Sequence, residues 1–328
     1  EAQFGRKENY EKTGQPEVTA TWPACKILWI KKHQPEIWSN TRKIFLLEDY
    51  LLYRLTGEFA TEKTLQSSSL YFDINTGDWW PEMLDFIGIP EEYLPRIEDS
   101  GVLLGTYGSC RVVTGAMDQV AGAIGAGIVS ETVISEMTGT TMAIFANAKE
   151  IPPFRADSII PCHYNFNGKY CLLLWTPTAG MALKWFKNNL CENFSFRDLD
   201  ALAEKVPPGS GGLVFLPYLC GSTMPKYNPD ARGCFAGLTL EHTRGHFVRS
   251  ILESVACMLR ENLEYLGISP EEIRVTGGGA ESPLWCRIKA DITGTDLKTL
   301  KNKETACLGS AILAGHGIGL FPSIEEAS

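Results

Sequence analysis

Apolar residues recur every three or four positions over two stretches of the chain, and this spacing predicts amphipathic helices. The first stretch spans residues 25–55 and is interrupted at Pro35. Gly57 follows its last apolar residue, where a helix commonly ends. The second stretch, residues 246–266, predicts the longest helix. Its buried face should carry Phe247, Ile251, Val255, Met258, Leu259 and Leu263.

Two pairs of short apolar runs predict β-hairpins. The turn of the first is Gly139-Thr140-Thr141, and the turn of the second is Asn167-Gly168. Asn-Gly is a favoured pair for a two-residue hairpin turn, because both positions require positive φ angles. The flanking strands are expected at residues 132–138 with 142–146, and at residues 163–166 with 169–175.

Strands and helices alternate along the rest of the chain, which predicts an α/β architecture. The further segments are strands at residues 112–115, 213–216 and 273–276, and helices at residues 178–190 and 283–292. At about 100–200 residues per domain, the length of the chain suggests two domains, and we place the boundary near residue 128. We therefore expect two domains, residues 1–128 and residues 129–328.

Charge and cysteine usage narrow the classes of function. The chain has 328 residues and a formal net charge of −9, so it has no general attraction for nucleic acid or for anionic membrane surfaces. Small-molecule chemistry is the better expectation. None of the ten cysteines forms a Cys-x-x-Cys pair. This spacing disfavours a zinc site or a disulfide framework and indicates reduced, mostly buried thiols in the cytoplasm.

Three segments could carry chemistry. The first is the turn formed by Gly139, Thr140 and Thr141, whose backbone N–H groups and hydroxyls could hold phosphate oxygens without a cation. Taken alone, an ordinary hairpin turn explains it better. The second is the strand, glycine-rich turn and helix of residues 276–283. Bare backbone and a helix N-terminus there could receive a nucleotide, but a tight structural turn explains the pattern equally well.

The third segment contains Asp118, which leads directly into a helix of small residues. An aspartate at a helix start is most often an N-cap, and in isolation that reading is favoured. The alternative is a carboxylate that accepts the proton of an attacking hydroxyl. Phosphoryl transfer asks the protein mainly for such a base and for loops that hold phosphates.

The order and spacing of these segments resemble the FGGY carbohydrate kinases over essentially the whole chain. The most specific match is Gly233-Cys-Phe-Ala-Gly-Leu238, followed after seven residues by His246-Phe-Val-Arg-Ser-Ile-Leu-Glu253. Further segments fall in the family's order. They are Thr114-Gly-Ala-Met-Asp118-Gln, Met137-Thr-Gly139-Thr-Thr141, Thr178-Ala-Gly180, Thr276-Gly-Gly278-Gly-Ala280 and Thr305-Ala-Cys-Leu-Gly309-Ser-Ala.

The resemblance implies a two-domain fold of the actin, hexokinase and Hsp70 type that uses ATP and Mg²⁺. Residues 1–128 would be part of the sugar-binding domain, and residues 129–328 the nucleotide-binding domain. Asp118 matches the catalytic base, and no metal ligand is assigned in this chain. The positions that match the nucleotide site are Gly139, Thr140, Thr141, Gly180, Gly278, Gly279 and Ser282, and less surely Lys184.

The sequence also departs from the family's pattern, because the Asp-x-Gly-Thr hairpin that opens family members does not occur in it. The resemblance therefore predicts that this chain is the larger part of a kinase and is inactive by itself, with the first domain incomplete. The segment Gly277-Gly-Gly-Ala-Glu-Ser-Pro-Leu-Trp285 resembles xylulokinases more than glycerol kinases, which favours a ketopentose such as xylulose. The expected partners are a sugar and a second copy of the chain, without nucleic acid or membrane.

Other interpretations remain open at this stage. The substrate could be another sugar, a polyol or a sugar acid such as ribulose, glycerol or gluconate. The chain could also be a non-catalytic nucleotide-binding protein of the same fold, although Asp118 argues against that. An unrelated hydrolase would need a second carboxylate placed for acid–base work, and none stands out.

Overall fold

Helices and strands alternate along the chain in the computed structural model, which describes residues 2–156, 160–223 and 227–328. The α-helices are α1 (Gly5–Thr13), α2 (Pro23–His33), α3 (Pro35–Asn40), α4 (Leu47–Thr56), α5 (Lys63–Gln66), α6 (Pro81–Ile87), α7 (Asp118–Gly125), α8 (Gly180–Leu190), α9 (Phe196–Glu204), α10 (Arg244–Leu266), α11 (Pro283–Thr293), α12 (Thr305–Gly317) and α13 (Ile324–Ala327). Short 3₁₀ helices lie at Glu91–Tyr93, Ser210–Gly212 and Gly278–Glu281.

The strands are mostly short, and the longest belong to one sheet. They are β1 (Ala60–Glu62), β2 (Phe72–Asp73), β3 (Asp78–Trp79), β4 (Arg96–Glu98), β5 (Leu103–Tyr107), β6 (Cys110–Val113), β7 (Val133–Thr138), β8 (Met142–Ala148), β9 (Cys162–Tyr164), β10 (Tyr170–Thr176), β11 (Val214–Leu216), β12 (Cys234–Ala236), β13 (Glu272–Thr276) and β14 (Asp296–Thr299). The predicted α/β class is confirmed.

The chain divides into two compact units. The first contains the described residues of Glu1–Val129, Asn147–Leu172 and Glu304–Ser328, and the second contains those of Ser130–Ala146 and Leu173–Lys303. The chain therefore passes between the units several times. None of the helices in these described ranges has the length and apolar character needed to cross a bilayer.

In the first unit, α7 packs closely against α12 because both helices carry glycine where they meet. A Cβ atom on Gly309 would lie 1.8 Å from the carbonyl oxygen of Ala121. A Cβ atom on Gly125 would lie 1.9 Å from the carbonyl oxygen of Thr305. Both distances are far below van der Waals contact, so the backbones approach closely only without these side chains. The contact fixes α7, the helix that begins at Asp118.

The second unit is built on strands in the order β14-β13-β7-β8. The first three run parallel, and β8 returns antiparallel to β7. Helix α10 packs against α9 and α11. Buried residues of the sheet include Ile134, Ile273 and Val275, and those of α10 include Ile251 and Val255.

Several sequence predictions are confirmed with shifted boundaries. The long helix is α10, two residues longer at its start than predicted. Its predicted core residues are buried except Phe247, which is half-buried. Gly57 ends α4 in the left-handed conformation at φ 79°. The hairpin of β7 and β8 is present, with Thr138 paired with Met142.

The second predicted hairpin is present, but its turn differs. The backbone N–H of Asn165 donates to the carbonyl of Lys169, so residues 166–168 form the loop. Gly168 takes the left-handed conformation at φ 74°, and its N–H donates to the carbonyl of Asn165. This is the geometry of a three-residue hairpin loop, which needs one positive φ angle instead of two. The two-residue turn was therefore wrong.

The expectation of mostly buried thiols was also wrong. All ten cysteines are free, and five of them are exposed, namely Cys110, Cys220, Cys234, Cys257 and Cys307. Cys257 and Cys307 lie on the solvent faces of α10 and α12. The apolar character of cysteine did not predict these positions, because a helix can expose some apolar side chains at little cost in free energy.

Candidate active site

The turn between β7 and β8 (residues 139–141, hereafter the 139–141 turn) is anchored by its own backbone. The N–H of Gly139 donates to the carbonyl of Thr141 over 2.9 Å. The carbonyl of Thr140 accepts from the N–H groups of Ala179 and Met181, at 3.2 and 3.0 Å. These bonds join the turn to the start of α8. The side chain of Thr140 is left exposed at the surface of the unit.

Gly180, the first residue of α8, lies against this turn. A Cβ atom on Gly180 would lie 2.2 Å from the carbonyl oxygen of Gly139, so only glycine allows this approach. No side chain caps the N-terminus of α8, and its first turn has no acidic residue. Its N–H groups therefore present positive potential beside the 139–141 turn. Lys184 lies one turn further along α8 and is exposed.

The glycines that follow β13 (residues 277–279, hereafter the glycine turn) pack against the end of β7. Gly277 has a φ angle of 74°, and a Cβ atom there would lie 2.7 Å from the carbonyl oxygen of Thr138. A Cβ atom on Gly279 would lie 2.7 Å from the Cβ of Thr138. Gly278 faces open space. The structure thus brings the predicted segments around residues 139, 180 and 278 together in one unit.

Ser282 is the N-cap of α11. Its hydroxyl accepts a hydrogen bond from the N–H of Trp285 over 3.0 Å and also bonds the carboxyl of Asp200. Burial raises the pKa of Asp200, and the Ser282 hydrogen bond opposes that rise. The predicted site residue is therefore adjacent to the glycine turn, but its hydroxyl already has two protein partners.

A cavity of about 210 Å³ opens beside the glycine turn. Glu281 and Lys303, which form an ion pair, contribute the charged part of its wall. The remaining lining is backbone and smaller side chains, from Val275, Thr276, Gly277, Ala280, Thr299 and Leu300. The cavity gives a ligand access to the backbone of the turn on that side.

Asp118 belongs to the first unit, where it is the first residue of α7 and is exposed. The N-cap of α7 is Met117, so the N-cap interpretation of Asp118 was wrong. Its carboxylate Oδ1 accepts a hydrogen bond from the N–H of Gln119 over 2.7 Å. The side chain is therefore held at a helix start in contact with solvent, where a carboxylate can accept a proton.

Two acidic side chains, the half-buried Glu48 and the buried Glu62, hold the loop that precedes Asp118. Glu48 Oε1 accepts from the N–H of Gly115 over 3.0 Å, and Thr64 Oγ1 accepts from the N–H of Met117 over 2.8 Å. The Thr64 hydroxyl in turn donates to Glu62 Oε1 over 2.8 Å. Glu62 is fully buried. Burial raises the pKa of Glu48 to about 7 and that of Glu62 to about 8.

Sequence reasoning missed these acids and a second buried group, in which Lys289 of α11 pairs with Glu136 of β7. The partners Lys289 and Glu136 are 153 residues apart, so no local pattern joins them. One signal was available. Glu136 lies between Ile134 and Thr138 on the buried face of β7, and a charge there requires a buried partner.

No group of three or more His, Cys, Asp or Glu side chains is arranged to hold a metal ion within residues 2–156, 160–223 and 227–328. The donor groups around the 139–141 turn are backbone N–H groups and threonine hydroxyls. Such groups suit an anion rather than a metal ion.

Two sequence profiles match the chain. Residues 1–127 match the N-terminal domain of the "FGGY family of carbohydrate kinases", and residues 161–318 match the C-terminal domain of that family. A xylulose kinase of Bacillus subtilis is 33% identical over 322 residues, covering 92% of this chain and 64% of its own length. A xylulose kinase of Staphylococcus epidermidis is 30% identical over 336 residues, covering 98% and 67%. The chain thus spans about two thirds of these relatives.

Solved structures agree with this result. Xylulose kinase from Rhodospirillum rubrum superposes with a TM-score of 0.89 at 27% identity, covering 99% of this chain and 69% of that one. Glycerol kinase from Plasmodium falciparum, solved with ADP, superposes with a TM-score of 0.91 at 26% identity, covering 99% and 68%.

Proposed function

Because the chain belongs to the FGGY family of carbohydrate kinases, we propose that its native protein transfers the γ-phosphoryl group of ATP to a hydroxyl of a sugar. The fold is the two-domain α/β fold of the actin, hexokinase and Hsp70 type. In this proposal residues 129–328 form the nucleotide-binding domain, and residues 1–128 contribute to the sugar-binding domain.

One observation carries the proposal. In the second unit, the 139–141 turn, Gly180 and the glycine turn all pack around the end of β7, at distances that only glycine permits. The exposed hydroxyl of Thr140 and the start of α8, which has no side-chain cap, suit phosphate oxygens. Gly278 offers bare backbone beside the cavity, where we place the adenosine.

The proposed role of Asp118 follows from the chemistry of the transfer. The attacking sugar hydroxyl must lose its proton as it bonds to phosphorus, and a positioned carboxylate accepts that proton. The carboxylate of Asp118 accepts a hydrogen bond from the backbone of α7 and is exposed to solvent. Mg²⁺ would enter with ATP, coordinated by the phosphate oxygens, and would neutralise part of their charge.

The substrate we propose is a ketopentose such as xylulose. This choice rests on the resemblance of residues 277–285 to xylulokinases and on the names of the two xylulose kinases. Glycerol kinase is as similar in structure, so a polyol is the main competitor. Use of ATP and the free thiols support a cytoplasmic location.

Replacing Asp118 by Asn in the native full-length protein tests the catalytic proposal. The shape is kept and the base is lost, so sugar phosphorylation should fall by roughly 10²–10⁴-fold. ATP affinity should stay unchanged. The matched control is Gln119→Ala, which alters the exposed neighbour without removing the carboxylate. Equal turnover by the Asn variant would refute the base assignment. ATP binding without sugar phosphorylation by the unmodified full-length protein would instead favour a non-catalytic nucleotide-binding protein.

A panel of pentoses, hexoses, polyols and sugar acids, assayed with ATP and Mg²⁺, tests the substrate. We expect the highest kcat/KM with a ketopentose. The 328-residue chain should be assayed beside the full-length protein, and we expect it to bind ATP without phosphorylating a sugar. Turnover by the 328-residue chain would contradict that expectation.

A further inference from the structure

A buried ion pair lies next to the 139–141 turn. Lys289 Nζ is 2.8 Å from Glu136 Oε2 and donates to Thr138 Oγ1, also over 2.8 Å. The Thr138 hydroxyl is hydrogen-bonded to Glu136 Oε1 as well. The side chains of Lys289 and Glu136 are 1% and 0% exposed. The three side chains form a closed hydrogen-bonded triangle that is shielded from water.

Stability alone does not explain this triangle. Removing two charges from water is costly, and their attraction in the interior often only compensates for that cost. Apolar residues of similar volume commonly serve equally well at such positions. The presence of a buried ion pair is therefore better explained by the elements whose relative positions it fixes.

The triangle joins the two loops of the proposed nucleotide site. Thr138 is the last residue of β7, and the 139–141 turn follows it directly. Its carbonyl and side chain also form the surface on which the glycine turn packs. Lys289 comes from α11, which begins at Pro283, four residues after the last residue of the glycine turn. One ammonium group thus ties α11 to the end of β7.

We infer that Lys289, Glu136 and Thr138 are positioning residues for nucleotide binding, which set the separation between the 139–141 turn and the glycine turn. They do not contact ATP themselves. The inference rests on the proposed function, because it assigns the phosphates to one turn and the adenosine to the other. The affinity for a ligand that contacts both turns depends on the distance between them, whereas the affinity for a ligand that contacts one turn does not.

The first test replaces both charges together, with Glu136→Leu and Lys289→Met in one variant of the 328-residue chain. No unpaired charge is then left in the interior, so the fold should survive. Isothermal titration should show ATP affinity lowered by roughly tenfold, since small displacements of binding groups are costly. Adenosine affinity should change by less than about twofold, because adenosine needs only the glycine turn.

The control is Glu204→Gln with Arg287→Gln, which removes an exposed ion pair between α9 and the same helix α11. This control should leave ATP affinity unchanged. Thr138→Val keeps the shape at the end of β7 and removes only the hydroxyl. It should lower ATP affinity severalfold, and it decides the question if the double variant fails to fold.

The outcomes distinguish the positioning role of the triangle from the proposed nucleotide site itself. Unchanged ATP affinity in a folded double variant, or in Thr138→Val, would overturn the positioning role. Equal losses for ATP and adenosine would indicate general loosening of the fold and would overturn it as well. Failure of the unmodified chain to bind ATP at all would instead refute the nucleotide site, and the inference with it.

Discussion

The carbonyl oxygen of Gly139 occupies the space that a side chain on Gly180 would need. A Cβ atom there would lie 2.2 Å from this oxygen, which is part of the backbone and cannot rotate away. The contact sets how closely α8 approaches the 139–141 turn. Two hydrogen bonds from the start of α8 to the carbonyl of Thr140 hold the same approach.

Gly180→Ala should therefore force α8 and the turn apart. We expect a loss of about 1–3 kcal/mol in the free energy of unfolding, as for other overpacked sites. ATP affinity should fall at least tenfold, because the N–H groups of α8 move away from the turn. Urea unfolding and isothermal titration measure the two effects. Asn189→Ala, at the exposed end of α8, is the control, and wild-type affinity in Gly180→Ala would contradict the assigned site.

Gly278→Ala should lower ATP affinity without lowering stability. A Cβ atom on Gly278 meets no atom within 4 Å, and its φ angle is not in the positive region, so the fold has room for alanine. The free energy of unfolding should stay the same or rise by about 0.4–1 kcal/mol. ATP affinity should fall severalfold, because the methyl group projects where we place the adenosine. Unchanged affinity would exclude Gly278 from the site.

The sequence predicted the elements that depend on local pattern. Helix α10 follows from its three- and four-residue spacing, and the hairpin of β7 and β8 follows from two apolar runs around residues 139–141. Sequence spacing also identified the glycine segments that meet in the second unit. Their proximity could only be inferred from the family resemblance, because it depends on the packing of the sheet.

The features that were missed depend on contacts between distant parts of the chain. Glu136 and Lys289 are a buried pair only because α11 packs on β7. Glu62, the last residue of the three-residue strand β1, is fully buried, because Thr64, Leu65 and Ser100 supply its hydrogen bonds. Lys289 and Glu62 do not differ from surface charges in the sequence, and only Glu136 gave a signal, through its position on the buried face of a strand.

The crossing of α7 and α12 leads to a third prediction. Gly309→Ala places a Cβ atom 1.8 Å from the carbonyl oxygen of Ala121, so the helices must separate. The free energy of unfolding should fall by about 1–3 kcal/mol. In the full-length protein kcat should also fall, because α7 carries Asp118. Ser310→Ala changes the exposed next residue and should shift stability by less than about 0.5 kcal/mol. Equal stability of both variants would contradict the tight crossing.

The last prediction concerns pH and the buried acids of the first unit. Burial, reinforced by the neighbouring carboxyl of Glu48, raises the pKa of Glu62 to about 8, although hydrogen bonds from Thr64 and Leu65 act to lower it. In the unfolded chain Glu62 should titrate near its ordinary pKa of about 4.3. Between these two values the folded state therefore holds one proton more than the unfolded state.

This difference fixes the sign of the pH dependence. The stabilising contribution of protonated Glu62 is fully present below about pH 4.3 and is lost as the pH rises through about 8. The free energy of unfolding should thus fall between pH 6.5 and 8 by roughly 1 kcal/mol per pH unit from this group. Burial lowers the pKa of His163 to about 4, so its opposite contribution ends near its ordinary pKa of about 6.5.

Glu62→Gln removes the titration and keeps the shape, so its free energy of unfolding should depend less steeply on pH over this interval. The comparison is made by urea unfolding at pH 6.5, 7.25 and 8. Glu48, whose pKa burial raises to about 7, adds a slope of the same sign in both proteins, so the slope of the variant should be reduced but not abolished. The absolute stability of the variant does not decide the question, because an amide also changes the hydrogen bonds to Thr64. Glu58→Gln, an exposed acid of the same unit, should keep the wild-type slope. The same slope in Glu62→Gln would mean that Glu62 is already ionised in the folded protein at pH 6.5.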